Sequence, residues 1–273
     1  MRKLLSAVLA GLAIAGFASS AHALPTAPEP VAPLEGIPAP CASTHEWPED
    51  ASIAKIKKAF TKNFGFELTG DQWTKKNLHS IKILWETFDA VECTDYRKTL
   101  QKKVDGNVGV NAAAISGYAW GDWSLSKGNH VSLDFSKFQR ALDAGDEGRL
   151  VRLVAHEFAH VWNSDRHSNP AYWQDFKKLY RAEGKFSSYA DNDSETFADA
   201  VGYYVGRCAL DNPYDTGEHD AYYDFVKDVV FDGREFGPEP GVKPDCTIPD
   251  ADAEVPATGL AETPDWVSAL AGE

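Results

Sequence analysis

The chain has 273 residues, 43% of them hydrophobic, enough for one sizeable core. Its 41 acidic residues outnumber 27 lysines and arginines, for a formal charge of −14. That balance argues against nucleic acid and anionic membrane surfaces as partners.

Residues 1–23 have the composition of an export signal. Met1-Arg2-Lys3 is positively charged, residues 4–17 are apolar, and Ala21-His22-Ala23 is a small-x-small cleavage site. Cleavage there starts the mature chain at Leu24, and loss of Arg2 and Lys3 takes the charge from −14 to −16. The alternative is an uncleaved N-terminal anchor, but the apolar run is short for a span and no second one follows. The expectation is therefore an extracellular or periplasmic monomer without a membrane anchor. Export also accounts for the cysteines. Cys41, Cys93, Cys208 and Cys246 are even in number and lack CxxC spacing, which suits two disulfides rather than a metal cluster. Three pairings are possible; Cys41–Cys93 with Cys208–Cys246 is the expected one, each joining a weakly structured end to the helical body.

Residues 24–40 are rich in proline and alanine and read as a linker or short pro-region. A domain is expected over residues 41–232. Ile53, Ile56 and Phe60 mark a first helix, Leu78, Ile81, Leu84, Trp85 and Phe88 a second, and residues 96–104 a third. Between Gly106 and Phe135 the pattern alternates and glycines punctuate it, giving two or three strands of a small sheet just before the next helix. That helix is expected over residues 147–163. Pro170 opens another, which Gly184 ends; Asn192 or Asp193 caps a helix running to Arg207; residues 221–231 form the last. Residues 233–273 are rich in proline and acids and read as a mobile tail tethered at Cys246. The fold class is α+β, predominantly helical, with a small sheet preceding the helix over residues 147–163.

The helix over residues 147–163 contains His156-Glu157-Phe158-Ala159-His160, an HExxH motif. Histidines four apart on a helix lie about 40° from each other, so both imidazoles reach one metal ion. Glu157 between them can touch a water at that ion, the arrangement of a zinc hydrolase. Leu150, Leu153, Val154, Phe158, Val161 and Trp162 surround the motif as a buried helix would, against the alternative of two solvated surface histidines. His22, His45, His79, His130 and His219 fit no ligand spacing.

A catalytic zinc needs a third protein ligand. His167 falls one residue beyond the metzincin spacing, with Asn163 where that pattern has its turning glycine. Asp165 follows His160 too closely. Glu195 is better placed, because Glu195 and Asp199 share one helix face and Ala198 and Gly202 allow close approach to the motif helix. Glu195 would complete a His₂Glu site, and Asp199 would orient a ligand histidine. A helix N-terminal carboxylate favoured by the macrodipole is the alternative for Glu195.

HExxH followed by Ser188-Tyr189 and then Glu195-Thr196-Phe197-Ala198-Asp199 resembles the gluzincin pattern, and within it the anthrax lethal factor protease-domain family. The resemblance covers about residues 150–204 and implies a zinc endopeptidase with a zincin-like, mixed α/β active-site domain. Zn2+ would be held by His156, His160 and Glu195, with Glu157 as general base and Tyr189 donating a hydrogen bond to the oxyanion. Tyr189 has the alternative of packing its loop onto the core. The expected function is exported peptide-bond hydrolysis on a peptide or protein substrate. An extracellular binding or inhibitory protein that keeps the fold without turnover is the alternative from another class, and a non-peptidase zinc hydrolase a third.

Overall fold

The computed structural model describes residues 36–127 and 129–246. The expected signal peptide, residues 24–35 of the linker and residues 247–273 lie outside them. Ser52 starts the first helix by accepting the backbone N–H of Lys55, and Gly65 stops it with a left-handed φ of 72°, so α1 spans Ile53–Phe64. Ile56, Phe60 and Phe64 form its buried stripe, and the rings of Phe60 and Phe64 stand 5.5 and 5.1 Å from Trp85. Trp85 belongs to α2 (Leu78–Ala90), and α3 (Tyr96–Lys103) follows it.

The sheet is built from β1 (Glu67–Thr69), β2 (Gly109–Ala112), β3 (Gly121–Asp122) and β4 (His130–Leu133), in the order β1-β2-β4-β3. β1, β2 and β4 are parallel, and β3 runs antiparallel along β4 at the edge. Alternation sorts the two faces: Val110, Ala112, Val131 and Leu133 are buried toward the helices, while Asn111 pairs with Ser132, and Ser132 with Asp122, on the other face.

Five more helices complete an α+β architecture that is about half helical: α4 (Phe135–Asp143), α5 (Glu147–Trp162), α6 (Ala171–Glu183), α7 (Asp193–Val205) and α8 (Asp220–Val230). α5 is the central element. It packs against α2, α3, α4, α7 and the sheet, and its Phe158 ring meets Phe88 at 4.6 Å and Phe66 at 5.6 Å.

In four places the structure differs from the sequence expectation. The sheet does not lead directly into the motif helix, because α4 intervenes: Asp134 accepts the N–H of Ser136 as its cap, and Phe135 and Phe138 bury one face. β1 is a further strand, taken from the stretch after Gly65. Residues 233–246 are more than a tethered tail. Phe236 is fully buried, and the buried Arg207 guanidinium donates to the carbonyl of Val242 at 3.0 Å while its other arm meets Asp215 at 2.7 Å. At the opposite end, Ile37 in the expected linker is also fully buried.

Both disulfides pair as expected, Cys41 with Cys93 and Cys208 with Cys246, at Cα separations of 5.6 and 5.8 Å. Among the described residues no helix is long and apolar enough to cross a membrane.

A candidate metal centre between two helices

Asp146 caps α5 by accepting the N–H of Arg149 at 3.1 Å, and Glu147 follows in the positive first turn. Apolar residues then cover most of the circumference of α5, so its polar residues sit on a buried helix. His156, Glu157 and His160 are 3%, 6% and 8% exposed. Buried ionisable groups persist where partners compensate their lost hydration, and the neighbouring elements supply them.

The closest neighbour is α7. A Cβ on Gly202 would fall 2.8 Å from the carbonyl oxygen of Arg152 and 3.1 Å from Cβ of His156. The two helices therefore touch through a residue without a side chain, which brings Glu195 and Asp199 of α7 up to the histidines. His156 Nε2 and His160 Nε2 are 3.2 Å apart, and Glu195 lies 3.4 Å from the first and 3.5 Å from the second. Bonds of about 2.0–2.2 Å to a tetrahedral ion place neighbouring ligand atoms about 3.3–3.6 Å apart. These three donors lie close to that spacing, and two imidazoles with a carboxylate could hold a metal ion. Within the described residues, His156, His160 and Glu195 are the group that could hold a metal. His167 is exposed outside that group, and Asp165 is engaged by Lys103 and Tyr172.

Asp199 is fully buried and sits 2.8 Å from Nδ1 of His156, on the side of the ring away from Glu195. It also receives hydrogen bonds from Arg152 and from the Ser187 hydroxyl. Burial pushes the Asp199 carboxyl up, but Arg152 and His156 outweigh it and hold it below its usual value. A carboxylate at Nδ1 fixes the proton there and turns Nε2 toward Glu195, the position from which it could ligate a metal.

Burial also disfavours charge on His156, yet its hydrogen bonds to Asp199 and Glu195 carry it to about 9 without a metal. His160 is lowered, chiefly by burial. For Glu195 burial acts upward, and the two histidines more than reverse it.

Glu157 has a different environment. Gly121 of β3 lies over it so closely that a Cβ there would approach Glu157 Cγ to 2.5 Å. Burial pushes the Glu157 carboxyl up to about 7. Tyr189, in the connection between α6 and α7, is 42% exposed, with its ring 5.9 Å from that of His156; burial of its phenol raises it to about 12.

Arg152, Ser187, Gly121 and Trp123 also belong to the surroundings of these residues and were not expected there. Arg152 carried a signal, being a charge one turn before His156 on the same helix face. Trp123, stacked on His160 at 6.5 Å, follows β3 and carried none. Comparison with protein-family profiles, curated proteins and solved structures gave no significant match to this chain. The arrangement itself brings together three groups that could hold a metal, an oriented histidine, and an adjacent carboxyl that burial pushes up.

Proposed function

We propose that the protein is an exported zinc-dependent endopeptidase of the gluzincin type, with an active-site arrangement similar to that of the anthrax lethal factor protease-domain family. The observation that carries this reading is the convergence of His156, His160 and Glu195 at mutual distances of 3.2–3.5 Å, with Glu157 buried beside them. A zinc ion held by those three residues would polarise the scissile carbonyl and make the attacking water acidic near neutral pH.

Glu157 would take the proton from that water and return it to the leaving amine. A carboxyl pushed up to about 7 is matched to both transfers. Asp199 keeps His156 in the tautomer that presents Nε2, and Arg152 keeps Asp199 ionised. Tyr189 would donate a hydrogen bond from its phenol to the oxyanion as the carbonyl becomes tetrahedral, a role open to a neutral phenol beside the metal donors. The two disulfides fit export, which a secreted peptidase requires.

Digestion of an unstructured protein such as casein tests the reading. The mature chain should cleave it, a chelator should stop cleavage, and zinc should restore it. Glu157→Gln should retain zinc but lose hydrolysis. Chelator-insensitive cleavage, or full activity in Glu157→Gln, contradicts the proposal; zinc binding with no hydrolysis of any peptide favours the inactive binding protein.

A further inference from the structure

Beside His160 and Glu195 opens a cleft of about 380 Å³, lined further by Trp123, Ser124, Ser126, Arg166, Asn192 and Ser194. Arg166 brings its full positive charge. It lies in the short 3-10 turn Ser164–Ser168 that follows α5, and one of its guanidinium nitrogens donates to the carbonyl of Asn163 at 3.3 Å. A guanidinium has five N–H donors in a planar fork, so this bond orients the group and leaves most of its capacity unused.

Acids outnumber bases 41 to 27 in this chain, yet among the described residues no carboxylate forms an ion pair with Arg166. The adjacent Asp165 is engaged by other partners, 2.6 Å from Lys103 Nζ and 2.5 Å from the Tyr172 hydroxyl. Glu195 is directed at the two histidines. Around Arg166 the cleft offers serine hydroxyls and the Asn192 side chain, whose oxygen already accepts the N–H groups of Ser194 and Glu195 at 3.0 Å each. The Asn192 amide nitrogen is thus left to donate. A half-buried guanidinium with no ion pair of its own, beside the Asn192 amide and the mutually bonded hydroxyls of Ser124 and Ser126, is an environment that suits a carboxylate.

We infer that this cleft is a subsite for a substrate carboxylate, gripped by Arg166. The carboxylate belongs either to an Asp or Glu side chain beside the scissile bond or to the terminus of a short peptide. That the ligand is a peptide rests on the peptidase reading above; that a carboxylate binds at Arg166 does not.

Calorimetric titration of the zinc-supplemented Glu157→Gln protein separates the two sources. The probes are acetylated pentapeptides of one sequence that carry Glu or Gln internally and a free acid or an amide at the C-terminus. One carboxylate series should bind about tenfold or more tightly than its neutral counterpart. Arg166→Gln should abolish the difference, Arg166→Lys should retain part of it, and Arg166→Glu should transfer the preference to a peptide with Lys at that position. Equal affinities, no binding, or a preference that survives Arg166→Gln would each overturn the inference; the last would send the carboxylate to the metal. If the wild type cleaves nothing but the Arg166-dependent preference is present, the peptidase reading fails and the subsite stands. If it cleaves without that preference, the subsite alone fails.

Discussion

Arg152, Asp199 and His156 form a buried chain in which each residue fixes the state of the next. Arg152 holds the charge on Asp199, and Asp199 holds the proton on Nδ1 of His156. Removing the middle member should therefore have two effects. Asp199→Ala should weaken zinc binding by about 10- to 100-fold, as loss of a carboxylate behind a ligand histidine does. It should also lower stability by roughly 3–5 kcal/mol, because Arg152 is left buried without its partner. Metal titration and thermal unfolding read the two separately, and unchanged zinc affinity would remove Asp199 from the site. Tyr189 should behave in the opposite way. It is 42% exposed, so Tyr189→Phe should leave zinc content, KM and melting temperature nearly unchanged while kcat falls about a hundredfold. Full activity in that variant makes Tyr189 a packing residue. Of these residues, His156, Glu157, His160, Glu195 and Asp199 were legible because helical periodicity alone puts each set on one face. Ser187 was not, because its bond to Asp199 depends on how the loop after α6 folds back.

At the scale of elements, the site depends on two close approaches. One is α5 against α7 at Gly202. A valine there needs space that the carbonyl of Arg152 and Cβ of His156 already occupy. Gly202→Val should cost roughly 1–3 kcal/mol and reduce zinc occupancy by moving Glu195 off the histidines. The other is β3 over Glu157, and Asp134 secures it. The Asp134 carboxylate accepts from Gln72 at 2.9 Å, from the N–H of Ile115 at 3.0 Å and from the N–H of Ser136 at 3.2 Å, while its own N–H donates to Trp120 at 2.8 Å. Lys137 adds bonds of 2.7–2.8 Å to the carbonyls of Ile115, Gly117 and Ala119, so the loop that delivers Gly121 is pinned along its length.

Burial opposes the charge on Asp134, but the hydroxyl, N–H and amide donors around it hold its carboxyl below the usual value. A depressed carboxyl stabilises the fold above its unfolded value, about 4, and that contribution fades as pH falls through the folded value. Asp134→Asn should thus be destabilised by about 1–3 kcal/mol at pH 7, with the deficit shrinking below about pH 4. Urea unfolding across that range checks it, and a deficit constant with pH would show that only packing was lost. The long helices were legible here, since each repeats its apolar residues over three or more turns. β1, β3 and α4 were not. β1 and β3 span three and two residues, too few to establish a period, and α4 begins at a phenylalanine that also suits the end of a strand.

Across the whole molecule, two disulfides tie chain ends to the helical body. Cys41–Cys93 closes a loop of sequence separation 52 and joins the start of the fold to the end of α2; Cys208–Cys246 spans 38 and holds the segment against which Arg207 is buried. Replacing Cys208 and Cys246 together by serine should cost roughly 2–5 kcal/mol while leaving metal stoichiometry intact, because neither cysteine touches the site. Melting curves with zinc analysis would show whether the tail and the centre are separable in this way. The pairing was legible as an expectation because each bridge unites a weakly patterned end with a nearby helix. The packing of Phe236 was not, since a lone phenylalanine among prolines and acids has no periodicity to reveal its burial.

On the proposed reading, a carboxylate from α7 completes a metal site begun by two histidines on α5. Titration of zinc into the metal-free protein, side by side with Glu195→Ala, tests it most directly. The wild type should bind one zinc tightly, and Glu195→Ala should bind it at least about a hundredfold more weakly with its helical content retained. Equal affinity in the two proteins, or no stoichiometric zinc binding by the wild type, would contradict the account.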